Sequence, residues 1–120
     1  MGYLNYLKIA VTKRDFRKLE DLQMKMKYDL LYDADIHEYK ENNIECVFIE
    51  LDCIEDCAEL DIFKENLNKL KDGYVLYRAG DLEWDEEFRN ASELPELMKI
   101  FKLKKIINQE DMTQEDEEEL

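Results

Sequence analysis

Apolar positions fall into blocks whose spacing switches between extended and helical. Residues 3–11 are dense in Tyr, Leu, Ile and Val and predict a first strand. Thr12 can cap a following helix, with Asp15 three residues on as a weak capping-box partner. Phe16, Leu19, Leu22 and Met26 then recur at helical spacing, which predicts about four turns ending near Tyr28. Residues 30–39 alternate loosely and predict a second strand. Glu41-Asn42-Asn43 has turn chemistry, because Asn tolerates the left-handed backbone. Residues 44–53 form the clearest strand, and its continuous apolar centre predicts burial on both faces.

Asp56 is a candidate N-cap for a second helix with an apolar stripe at Leu60, Phe63, Leu67 and Leu70. Gly73 is expected as its left-handed cap. Residues 74–78 predict a strand, broken at Gly80-Asp81 and continued after a turn by Leu82-Glu83-Trp84. Ser92 can cap a third helix carrying Leu94, Leu97, Met98 and Phe101, with Pro95 tolerated in its first turn. Lys99, Lys102, Lys104 and Lys105 suit the negative pole of that helix.

The order β-α-β-β-α-β predicts an α/β (α+β) domain of the ferredoxin-like split type. Its antiparallel sheet would carry helices on one face, plus the C-terminal helix. Residues 1–108 are expected to form this single domain, and residues 109–120 a disordered acidic tail.

Composition changes the picture through charge. The 120 residues carry 31 acids and 17 bases, a formal net charge of −14. Seven acids lie in the tail, so 24 acids against 17 bases remain in the body, still −7. Direct nucleic-acid binding is not expected with that sign, and an anionic membrane is disfavoured. The expected partner is cationic: a basic protein surface, such as that of a nucleic-acid-binding protein. The N-terminus lacks a basic start followed by an apolar run, and no segment is long enough to span a bilayer, so the chain is expected in the cytoplasm. Cys46, Cys53 and Cys57 are an odd set, expected as reduced thiols.

The body's acids cluster. Asp81, Glu83, Asp85, Glu86 and Glu87 surround Trp84; Asp33, Asp35 and Glu38 form a second group. A third runs from Glu50 to Asp61, where the helix dipole explains part of it. Like charges packed in a short folded segment repel, so the run from Asp81 to Glu87 needs another reason. Trp is favoured at interface centres and can meet Arg through cation–π contact. Asp81, Glu83, Trp84, Asp85, Glu86 and Glu87, with Asp33, Asp35 and Glu38, are therefore the candidate partner-binding residues.

Catalytic chemistry finds little support. Three glycines (2, 73 and 80) make no phosphate loop, and Ser92 and His37, each the sole residue of its type, make no triad. No cofactor motif appears. Asp33-x-Asp35-x-His37 would converge on one face of a strand, a hard-metal arrangement in outline, and stands as a metal-module alternative. The cysteine spacing lacks the close pairs of a zinc site.

The small size, the acidic surface, the Lys/Glu/Asn/Ile-rich composition and the runs 81–87 and 115–119 together resemble the small acidic proteins of bacteriophages and mobile elements. These include DNA-mimic inhibitors and anti-CRISPR proteins. The resemblance implies a non-enzymatic inhibitor that occupies the basic nucleic-acid-binding surface of a host defence protein such as a CRISPR effector. That group shares no motif, so no residue roles carry over. The alternative is a structural or assembly protein, with a homodimer through a free sheet edge.

Overall fold

Thr12 ends one element and starts the next. Its backbone is extended, and its hydroxyl accepts the Asp15 N–H at 3.2 Å while donating to Asp72 Oδ2 at 2.9 Å. Strand β1 (Leu4–Thr12) therefore runs straight into helix α1 (Lys13–Met24). The buried Asp15 carboxylate accepts the N–H groups of Lys71 and Asp72, which ties that junction to the loop before a later strand. Thr12→Ala is expected to lower the unfolding free energy by about 1–2 kcal/mol. Urea denaturation checks this; an unchanged midpoint would mean that Asp15 alone holds the junction.

The computed structural model describes residues 3–26, 29–55 and 57–102. After α1 come a 3₁₀ turn (Leu30–Asp33), β2 (Asp35–Glu41), β3 (Ile44–Glu55), α2 (Ala58–Leu67), β4 (Val75–Gly80) and β5 (Glu86–Asn90). A third helix, α3, occupies residues 95–102 at the end of the described chain, and Ser92 Oγ accepts the Leu94 N–H at its start. The chain is a mixed α+β fold. Among the described residues five strands form one sheet in the order β2-β3-β1-β4-β5, every neighbouring pair antiparallel.

Strand alternation divides the apolar residues between two cores. Leu7, Ile9 and Val11 of β1, with Val47, Ile49 and Leu51 of β3, pack beneath Leu19 of α1 and Leu60, Phe63 and Leu67 of α2. The residues between them, Ala10, Cys46, Phe48 and Val75, face Leu97, Ile100 and Phe101 of α3. So α3 covers the face opposite α1 and α2. β1 and β3 are buried on both sides, as the apolar centre of β3 predicts.

Asn42 and Asn43 close the β2–β3 hairpin with φ of 52° and 66°, the left-handed pair that a two-residue turn requires. Elsewhere the expectations need correction. The segment 30–39 is not one strand: Asp29 caps a 3₁₀ turn by accepting the Leu31 N–H, and extended structure begins only at Asp35. Gly73 is not the cap of α2, whose C-cap is Asn68. Its positive φ of 81° serves the loop into β4, where a Cβ would run into the Ala91 carbonyl. Residues 82–84 lie in a turn, and the extra strand is β5, which makes five strands where four were expected. Asp56, and the tail assigned to 109–120, lie outside the described residues. No helix among the described residues is long and apolar enough to cross a membrane.

Candidate functional site: an acidic end of the sheet

Register decides which acids meet. Asp35 of β2 lies opposite Glu50, Leu4 of β1 opposite Glu55 of β3, and Asn5 opposite Gly80 of β4. The start of β2, the end of β3 and the β4–β5 turn therefore share one end of the sheet. The three acidic groups, far apart in sequence, converge there. Asp33 and Asp35 sit on one side, Asp52 and Glu55 at the end of β3, and Asp81, Glu83 and Glu86 on the other side, all exposed. Glu59 and Asp61 in the first turn of α2 add to the same end. Five strands about 4.8 Å apart make this row about 19 Å wide. β1 contributes no acid, but its Leu4 N–H donates to Asp81 Oδ2 at 2.8 Å, which anchors the turn over it.

Exposed apolar groups stand among the carboxylates. Trp84 is 80% exposed and Leu82 47%, both in the β4–β5 turn; Tyr32, on the 3₁₀ turn before β2, is 86% exposed. An exposed aromatic thus stands on each side of the acidic row, outside both cores.

Not every acid of the 81–87 run points outward. Arg78 of β4 forks onto Asp85, with Nη2 2.7 Å from Oδ1 and Nη1 3.3 Å from Oδ2. Its Nε donates to Glu87 Oε1 at 3.1 Å and Nη1 to Asn5 Oδ1 at 2.8 Å. Lys64 of α2 reaches the same Glu87 oxygen at 2.8 Å. The Tyr3 hydroxyl also donates to Asp85. The Arg78 fork and the Tyr3 bond hold the Asp85 carboxyl down to about 2, and the Asp85 bond in turn pushes the Arg78 guanidinium up. Burial acts to raise Glu87, but the Lys64 and Arg78 bonds outweigh it and its carboxyl is lowered. Asp85 and Glu87 are thus the internal fastening of the turn that displays Asp81, Glu83, Trp84 and Glu86. Gly80 sits tight against this fastening, since a Cβ there would meet the Tyr3 hydroxyl and the Asp85 carboxylate.

Two other candidates lie elsewhere. Glu38 is mid-strand on β2, paired with Lys13 at 3.1 Å, away from the acidic end. His37 shares a face with Asp35 and lies opposite Phe48, but Asp33 is on the 3₁₀ turn and does not join that strand face. Among the described residues no group of three or more His, Cys, Asp or Glu side chains could hold a metal ion. Burial pushes the Cys46 thiol up to about 11, which suits packing rather than attack. A polar cleft of about 210 Å³ between Tyr3, Asp61, Lys64, Arg78 and Asp85 has both its cations in ion pairs with carboxylates. The pairing of Arg78 with residues seven and nine positions later was the part of the site missed in sequence; the Arg-x6-Asp-x-Glu spacing carries it only once a hairpin is assumed.

The chain matches no known family model, no curated protein and no solved structure.

Proposed function

We propose that this chain is a non-enzymatic binding protein whose acidic end docks on a cationic protein surface, of the kind that otherwise holds nucleic acid. The observation that carries it is the convergence of three sequence-separated acidic groups along one end of the sheet, flanked by Trp84 and Tyr32. A row of carboxylates about 19 Å wide offers a basic groove what a stretch of phosphates offers it: repeated negative charge at the spacing of a few ångströms. Aromatic side chains in that row add stacking against Arg, which raises affinity beyond the ion pairs. The first four strands, β4-β1-β3-β2 with α1 and α2 between them, support reading the scaffold as the ferredoxin-like split unit with β5 added at one edge. Such a scaffold chooses no activity by itself, so function is argued from the surface alone.

The test neutralises the outward acids and spares the fastening: Asp35→Asn, Asp52→Asn, Glu55→Gln, Asp81→Asn and Glu86→Gln in one chain. The wild-type protein should retain basic nucleic-acid-binding proteins from a bacterial lysate and release them as salt rises, and DNA or RNA should compete. The neutralised chain should bind at least about tenfold more weakly. Equal retention by both chains, or retention insensitive to salt, would exclude this end as the docking surface.

A further inference from the structure

Among the described residues β5 is one outer strand of the sheet and β2 the other. The Gly80 N–H donates to the Asp85 carbonyl and the Ala91 N–H to the Tyr74 carbonyl, both at 2.8 Å. The β4–β5 register between those two bonds is unbroken. Antiparallel ladders alternate, so Leu76–Arg89 and Arg78–Glu87 are the hydrogen-bonded pairs in between. Residues 85, 87, 89 and 91 therefore direct their main-chain groups at β4. Glu86, Phe88 and Asn90 turn theirs outward, at a sheet edge that can accept another strand.

We infer that this edge pairs with β5 of a second copy, antiparallel about Phe88, to make a two-fold dimer with a continuous ten-stranded sheet. Only registers that match outward-facing residues on both strands form bonds, and the one centred on Phe88 uses all three from each copy. Its side chains are self-complementary. Phe88 meets Phe88 on the α3 face, where it is 52% exposed and rests on Phe101 at 5.8 Å between ring centroids. Glu86 meets Asn90, so no acid faces an acid. On the other face Glu87 meets Arg89, twice over by symmetry. Antiparallel pairing also sends the acidic ends of the two copies to opposite ends of the joint sheet, where repulsion between them is smallest.

The other edge has the opposite character. The two-residue hairpin makes Glu41–Ile44 its closing pair, so Ile36, Glu38 and Lys40 face outward on β2. Pairing β2 with itself about Glu38 would set Glu38 against Glu38 and Asp35 against Glu41. Like charges directly opposite destabilise a strand pair, which leaves β5 as the edge that accepts its own copy.

Sedimentation equilibrium of the full chain, from roughly 10 μM to about 1 mM, tests this, since a five-residue strand pair is a small interface. The weight-average mass should climb from 14.5 kDa toward twice that value, and further at higher salt, which screens the −14 charge of each copy. Arg89→Glu puts Glu against Glu87 twice, and Asn90→Pro deletes an outward N–H without touching the ladder to β4. Both variants should remain at monomer mass over the same range, with circular dichroism confirming the fold. A wild-type chain that stays at 14.5 kDa throughout overturns the inference. So does a mass gain that survives in both variants, or open-ended assembly beyond the dimer. Of the acidic end only Glu86 belongs to the paired edge, and neither variant alters it, so the docking test and this one can fail separately.

Discussion

Phe48→Ala should lower the unfolding free energy by about 3–5 kcal/mol, the range for truncating a fully buried Phe. Phe48 sits on β3 with no exposed surface and belongs to the smaller of the two cores. Its neighbours there are Ala10, Cys46, Val75, Leu97, Ile100 and Phe101, and its ring lies 6.0 Å from that of Phe101. The backbone of β3 is held on both sides by β1 and β2, so it cannot collapse into the space left behind. The loss is a large share of the 5–15 kcal/mol typical of a domain, and it falls on one layer. α3 rests on this face, so amide exchange in residues 95–102 should quicken more than exchange in α1. Phe48→Leu, which keeps much of the volume, should lose about 1.5 kcal/mol or less. A loss below about 1 kcal/mol for Phe48→Ala, in urea denaturation, would mean that α3 does not pack on Phe48.

Local signals accounted for the elements they could specify. The Thr12 cap, the Asn42-Asn43 turn and the apolar run of β3 each act over a few residues, and each is where the sequence puts it. β5 was hidden because its five residues, Glu86 to Asn90, hold one apolar side chain inside a run of acids. Its strand character comes from the bonds it makes to β4 and from Phe88 meeting Phe101, which are tertiary effects. The segment 30–39 resembles one continuous strand in sequence because Leu30, Leu31 and Tyr32 are apolar enough for extended structure. The Asp29 side chain, which bonds the Leu31 N–H, instead starts a 3₁₀ turn.

The acidic end illustrates a different limit. Each cluster was visible in the sequence, but not that they are neighbours. Asp35 and Asp81 are 46 positions apart, and only the order of strands in the sheet, with the register that the Asn42-Asn43 turn fixes for β2, puts them at one end. A slip of one residue in β2 would move Asp35 to the opposite face. Composition also could not separate the acids that bind inward from those that face solvent. Asp85 and Glu87 look like Glu83 and Glu86 until Arg78 and Lys64 are placed beside them.

That division makes Arg78→Met the second large expected effect. The Arg78 side chain is 16% exposed and satisfies Asp85, Glu87 and Asn5 at once. Removing it leaves two carboxylates crowded at the end of β4, with only Lys64 still paired to one of them. Deleting one partner of a fully buried pair costs about 3–5 kcal/mol; the partial exposure of this network lowers the expectation to about 2–3 kcal/mol at neutral pH. The pH dependence separates this from loss of packing. Asp85 is held at about 2 in the folded chain by the Arg78 fork and by Tyr3, below the ordinary value of about 3.9. A lowered folded value means that its stabilising contribution is complete above the unfolded value and disappears as pH falls through the folded one. Glu87, also lowered, acts in the same direction. In Arg78→Met both carboxyls lose that partner, so the gap between wild type and variant should be full above about pH 5 and narrow steadily toward pH 2. The change in net charge with pH is common to both chains apart from one unit, so the difference in urea midpoints isolates the network. A gap that stays constant from pH 7 to pH 2 would show that Arg78 acts through its methylene packing and not through its charge. Because the same turn carries Trp84 and the outward acids, the variant should also weaken the proposed docking at neutral pH, although it alters none of the residues proposed to dock.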